Sequence, residues 1–110
     1  MLIEGTDIKG SYNDGKEYLV TVKLVGSIGQ ATVSGGGQVT QLTSKNTVKL
    51  KVKKGMGITI LPGRQSLAVY DVQIKVGNVI RYDKGVNSDG RYDAYTFTVS
   101  DDTLVSVDFK

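Results

Sequence analysis

The sequence predicts an all-β protein, a single immunoglobulin-like β-sandwich. Three observations carry that expectation. Val, Thr, Ile, Tyr and Phe make up 40 of the 110 residues, against 3 Ala and 2 Glu. β-branched and aromatic side chains suit a pleated surface and lose rotamer freedom in a helix. Short segments of alternating apolar and polar residues recur along the chain, the pattern of strands with one face buried. Glycine, at 14 residues, falls mostly between those segments, where turns need it. The length suits one domain with a modest core.

In chain order, residues 1–17 are polar and broken by Gly5, Gly10 and the triplet Asn13-Asp14-Gly15. They read as an N-terminal arm and turn, with a short strand at 2–4, ahead of a domain spanning 18–110. Tyr18, Val20, Val22 and Leu24 alternate with Leu19, Thr21, Lys23 and Val25 to give a first strand. Ala31 and Val33 mark a short second strand over 30–34. Gly35-Gly36-Gly37 is a turn or bulge, after which 38–42 resumes the extended chain. The cleanest alternation is 47–53, with Val48, Leu50 and Val52 on one side and Lys49, Lys51 and Lys53 on the other.

Ile58 and Ile60 give a short strand that Leu61-Pro62-Gly63 should end, and 67–76 reads as a longer one. Gly77-Asn78 is a two-residue hairpin turn into 79–82. Residues 83–91 form a polar loop. Tyr95, Phe97 and Val99 define another strand. Asp101-Asp102 turns the chain, and Val105, Val107 and Phe109 close it. The alternation predicts a core of Val20, Val22, Leu24, Val48, Leu50, Val52, Ile58, Ile60, Val72, Ile74, Phe97, Val99, Val105, Val107 and Phe109.

The chain contains no Cys, His or Trp. Disulfides, thiol chemistry and His-based catalysis are excluded, and no catalytic constellation replaces them. The expectation is a non-enzyme without cofactor or bound metal. No run approaches the roughly 20 apolar residues of a membrane-spanning helix. Residues 1–7 have neither the basic nor the apolar region of a secretory leader, so the chain is expected to be made in the cytoplasm.

Charge is distributed unevenly. Residues 1–44 carry 3 bases and 4 acids, and residues 65–110 carry 5 bases and 7 acids. Between them Lys45, Lys49, Lys51, Lys53, Lys54 and Arg64 stand without an acid. These six are the candidate partner-binding residues. A row of lysine heads two residues apart suits an acidic protein surface. The same row is what a strand edge guarded against aggregation looks like, and the sequence leaves both readings open. Nucleic acid is disfavoured, because no aromatic interleaves with the lysines for stacking.

Other motifs are weaker. Asn87 and Asp89 fall at calcium-ligand positions if Gly90 is set on the glycine of an EF-hand loop. Gly85 and Thr96 then occupy two essential ligand positions and cannot serve, so 83–93 reads as an ordinary loop. Gly35–Gly37 lacks the Lys-Ser/Thr and helix of a phosphate-binding loop. Asp101-Asp102 reads as a hairpin turn rather than an acid pair for catalysis. Tyr12, Tyr18, Tyr70, Tyr82, Tyr92 and Tyr95 read as core-edge residues more readily than as a sugar platform.

The second half carries a longer pattern. Gly57-Ile58-Thr59-Ile60-Leu61-Pro62-Gly63 is followed by Val69 and Val72, then by Gly77 and Val79. Tyr95-Thr96-Phe97-Thr98-Val99, Asp102-Thr103 and Val105-Ser106-Val107-Asp108-Phe109-Lys110 complete it. Over roughly 35–110 this resembles the divergent internalin B-repeat, or Listeria–Bacteroides repeat, a bacterial surface module. The resemblance implies a β-grasp-like topology as the alternative fold, with 62–71 as a short crossing turn or helix. It also implies an adhesive or spacer role without catalytic residues.

Two functional expectations follow. The first is an accessory (decoration) protein of a bacteriophage virion, made in the host cytoplasm and bound to a capsid or tail lattice. The second is a repeat module of a bacterial cell-surface protein.

Overall fold

The structure, a computed structural model, describes residues 16–26, 28–63 and 70–110. Residues 1–15 of the arm expected at 1–17, the 67–69 part of the expected long strand, and Arg64 lie outside the described residues; Glu17, expected in the arm, begins the first strand.

Nine strands form among the described residues: β1 (Glu17–Val25), β2 (Gln30–Gly35), β3 (Gln38–Leu42), β4 (Thr47–Lys53), β5 (Gly57–Gly63), β6 (Val72–Val76), β7 (Val79–Lys84), β8 (Tyr95–Thr98) and β9 (Thr103–Phe109). They build two sheets, ordered β4-β1-β9-β6-β7 and β3-β2-β5-β8. The sheets pack as a sandwich, as the alternation requires of strands with one apolar face each.

Most neighbours are antiparallel, but β1 and β9 run parallel, with Val22 opposite Val105 and Leu24 opposite Val107. That pairing joins the first and last described strands at the centre of the five-stranded sheet. Asp102 fastens its start, accepting a hydrogen bond from the Leu19 N–H (2.8 Å).

The core is apolar throughout, with no buried polar or charged residue among those described. Val20, Val22, Val52, Val72, Ile74, Val105 and Val107 meet Val33, Leu42, Ile58 and Ile60 from the other sheet, all of them essentially fully buried. Ala31, Tyr82 and Tyr92 join them.

Two expected core residues are only half-buried. Leu24 stands near the end of β1, past its last pairing with β4 at Lys23–Thr47. Phe97 lies on β8, the edge of its sheet, and stacks on Tyr95 with ring centroids 6.1 Å apart.

Three further local expectations change. The strand around Ile60 continues through Leu61-Pro62-Gly63. β8 pairs with β5 only as far as Ile60, so Pro62 has a strand on one side alone, where its missing N–H is tolerated. Of the strand expected over 67–76, the described part is regular from Val72, with Tyr70 and Asp71 outside it. Asp101-Asp102 is not a hairpin turn, because β8 and β9 belong to different sheets and the turn crosses between them.

The Gly77-Asn78 hairpin forms as expected, with Val76 paired to Val79. The glycine triplet makes a two-residue hairpin turn between β2 and β3. Gly36 (φ 59°) and Gly37 (φ 80°) are both left-handed, as the turn with two positive φ values demands.

Candidate functional site: the outer face of the five-stranded sheet

Alternation in β4 buries Val48, Leu50 and Val52 and turns Lys49, Lys51 and Lys53 outward. Among the described residues β4 is the edge of its sheet, with β1 as its one neighbour. The lysine row is therefore both an outer face and a border. Its heads repeat about every 6.8 Å along the strand. No ion pair ties these three lysines to an acid among the described residues.

Register then decides what lies beside them. Glu17 pairs with Lys53, Leu19 with Lys51, Thr21 with Lys49 and Lys23 with Thr47. Across the parallel ladder, Leu104 stands beside Thr21 and Ser106 beside Lys23. Lys75 of β6 follows Ser106 in the same row. The outer face thus gathers Lys23, Lys49, Lys51, Lys53 and Lys75 around Leu19 and Leu104, which are 39% and 50% exposed; Glu17 stands on the same face across from Lys53, and Asp108 and Asp83 stand on it beside Gln73.

Lys23 and Lys75 come from segments with no excess of positive charge. The alternation of β1 shows that Lys23 faces outward. Only the pairing of β1 with β4 and β9 brings it to the lysine row.

Of the remaining expected residues, Lys45 and Lys54 do not join this row, and Arg64 lies outside the described residues. Lys45 sits in the turn between β3 and β4, where its N–H meets Thr43 Oγ1 (3.2 Å). Asn46 organises that turn, accepting from the Thr43 N–H (2.7 Å) and donating to the Gln41 carbonyl (2.9 Å). Lys54 occupies the turn between β4 and β5. At that end of β4 a half-open cleft of about 360 Å³ is lined by Glu17, Gly36, Lys51, Val52, Lys53 and Met56.

The peptide groups of β4 are arranged just as regularly. Leu19 directs its N–H to Asp102, on the β9 side of β1. By alternation Glu17 and Thr21 do the same, so their pairs with Lys53 and Lys49 are, like Leu19–Lys51, the non-hydrogen-bonded ones. Lys49, Lys51 and Lys53 consequently point their own N–H and C=O groups off the free edge. The Lys53 carbonyl is taken by the Met56 N–H (3.1 Å).

The 83–93 loop is tied together by its own side chains. Asp93 accepts from Lys84 Nζ at Oδ2 (2.8 Å) and from Asn87 Nδ2 at Oδ1 (3.1 Å). Asn87 Oδ1 accepts the N–H groups of Asp89 (2.8 Å) and Arg91 (3.2 Å). The Lys84 ammonium, and Asn87 after it, hold the Asp93 carboxyl below the ordinary aspartate range. The hydrogen bond to Asp93 raises Lys84 in turn. Burial raises the Tyr82 hydroxyl, which donates to the Asp93 carbonyl (2.9 Å).

The tyrosines do not form a flat platform. Tyr82 and Tyr92 are buried, and Tyr92 donates to the Tyr70 carbonyl (2.6 Å) while its ring meets Phe109 edge-on. Tyr18, Tyr70 and Tyr95 are half-buried, and Tyr12 lies outside the described residues. No helix among the described residues is long and apolar enough to cross a membrane. No family model, no curated protein and no solved structure matches the chain.

Proposed function

We propose that this chain is a non-enzymatic docking module, a decoration protein of a bacteriophage particle that seats the outer face of its five-stranded sheet on an acidic protein lattice. The observation that carries the reading is the gathering of Lys23, Lys49, Lys51, Lys53 and Lys75 on one face, three of them in a row without an acidic partner among the described residues. Exposed lysines contribute little to folding stability, so a row of them is available for recognition. Long-range attraction speeds encounter and makes binding salt-sensitive. Leu19 and Leu104 supply apolar contact inside the charged ring, the usual order of an interface. On a lattice many small contacts add up, so a patch of this size suffices.

The test is co-sedimentation with purified particles of the phage whose genome encodes the chain. The protein should bind in proportion to lattice sites and be released as salt rises. K49E/K51E/K53E should abolish binding while thermal melting stays unchanged. Undiminished binding by a folded triple variant contradicts the reading. It then favours a spacer or adhesive module of a bacterial surface protein, the role the B-repeat resemblance over 35–110 implies.

A further inference from the structure

We infer that the free edge of β4 is a strand-addition site for an extended acidic segment of the partner, one that alternates acidic and apolar residues. The inference rests on the docking role proposed for this face and names the chemistry of what docks there.

Three observations converge on β4. It is an edge strand with one hydrogen-bonded neighbour among the described residues. The residues whose peptide groups point off that edge are Lys49, Lys51 and Lys53, the same residues whose side chains form the cationic row. The turn between β2 and β3 passes close to the edge, and it does so with glycine. A side chain at Gly36 would stand 3.3 Å from the Lys51 carbonyl oxygen and 3.0 Å from Val52 Cγ1. Glycine keeps the turn from crowding the Lys51 carbonyl with a side chain, and the cleft beside Val52 and Met56 stays open.

These features define the occupant. A strand laid antiparallel along β4 bonds to the outward N–H and C=O groups of Lys49 and Lys51. Residues directly opposite the lysines put their side chains on the same outer face, about 5.5 Å away between Cα atoms. Acids at those positions meet the ammonium groups, and lysines would be repelled. The intervening residues face the other way, toward the part of the cleft formed by Gly36, Val52 and Met56 (Glu17, Lys51 and Lys53 line the rest), where Met56 is 45% exposed. Apolar residues fit there. A second copy offering its own β4 would set lysine against lysine, so the row that admits an acidic strand also bars self-addition.

The test uses the full chain and a fluorescent heptapeptide of alternating glutamate and valine, read by anisotropy. Two N-methylated versions separate strand addition from simple charge attraction. Methylation at the glutamates removes the N–H groups that face β4, and methylation at the valines removes those that face away. The first should weaken binding by about tenfold or more and the second should leave it nearly unchanged. A shuffled peptide with its glutamates in one block should also bind more weakly. K51P, which removes an outward N–H without touching the β1 ladder, should bind about tenfold more weakly than K51Q, which removes the charge alone. If K51P fails to fold, the N-methyl pair decides.

Equal binding by the two N-methylated peptides, or by the blocked and alternating ones, overturns strand addition. The docking reading then survives if K49E/K51E/K53E still abolishes particle binding. If the peptide pattern holds while the triple variant binds particles normally, the docking reading fails instead.

Discussion

The outer faces of the two sheets are built by the same alternation and differ in almost everything else. The five-stranded sheet turns out Lys23, Lys49, Lys51, Lys53 and Lys75, along with Glu17, Asp83 and Asp108. The four-stranded sheet turns out Gln30, Thr32 and Ser34 from β2, Val39 and Gln41 from β3, Thr59 and Leu61 from β5, and Thr96 and Thr98 from β8. Among the described residues of these strands, no charged residue stands on that second face.

Its polar groups satisfy one another across strands. Thr32 Oγ1 donates to Gln41 Oε1 (3.1 Å), and the hydroxyls of Thr59 and Thr96 meet at 2.9 Å. On the first face, Lys49, Lys51 and Lys53 have no acidic partner among the described residues. Folding needs only the inward half of each strand, so the outward half is where sequence is free to serve a partner. Of the two faces, the one with lysines left unpaired among the described residues is the one proposed to dock.

The comparison presumes that the two inner faces are equivalent. Ile74 and Ile60, one from each sheet, are both fully buried. Ile74→Ala and Ile60→Ala should each cost about 2–5 kcal/mol in urea unfolding. A cost below about 1 kcal/mol for either would mean that its sheet is not closed over the core as described.

A smaller effect is expected at the edge of the neutral sheet. Full burial would give Phe97→Ala a cost of about 3–5 kcal/mol. Because Phe97 is half-exposed on β8, the cost should be roughly half of that. A loss as large as that of Ile60→Ala would place Phe97 in the core after all.

The smallest effect separates the lysine row from a lysine whose charge is already paired. Lys84 lies 2.8 Å from Asp93, unlike the lysines of the row. The Asp93 carboxyl is held below its ordinary value, so the pair favours the folded state at pH above the usual carboxylate value near 4. That contribution should fade as the pH falls through the lowered value. Unfolding of the wild type and of Asp93→Asn, compared at neutral and strongly acidic pH, should show a slightly larger acid-induced loss for the wild type. Identical losses would mean the pair has no preference for the folded state.

The inner architecture was largely legible in the sequence because period-2 alternation reports burial directly. Val48, Leu50 and Val52 point inward as expected, and so do Val105, Val107 and Phe109. Alternation could not report partners. The parallel pairing of β1 with β9 joins residues more than eighty positions apart, and no turn signal marks it.

The same limit governs the candidate site. Lys49, Lys51 and Lys53 were visible as one face of one strand. Lys23 and Lys75 were not visible as their neighbours, because the register that aligns them runs through β9. Pro62 was misleading for a related reason. Proline ends a strand flanked on both sides, but β8 stops at Ile60 and leaves that side of β5 open. Tyr82 and Tyr92, read from the sequence as core-edge residues, are buried because the Asp93 and Tyr70 carbonyls satisfy their hydroxyls inside.

The central claim is that a folded face, and not a basic stretch of sequence, does the docking. K23E/K75E tests it most directly, since both residues lie outside the basic 45–64 segment and reach the face only through strand pairing. A control, T32K/T59K, puts two charges on the opposite, neutral face. Particle binding by the two variants, measured side by side at low salt, should fall by about tenfold or more for K23E/K75E and stay at the wild-type level for T32K/T59K. Wild-type binding by K23E/K75E, or a loss confined to T32K/T59K, would contradict the account.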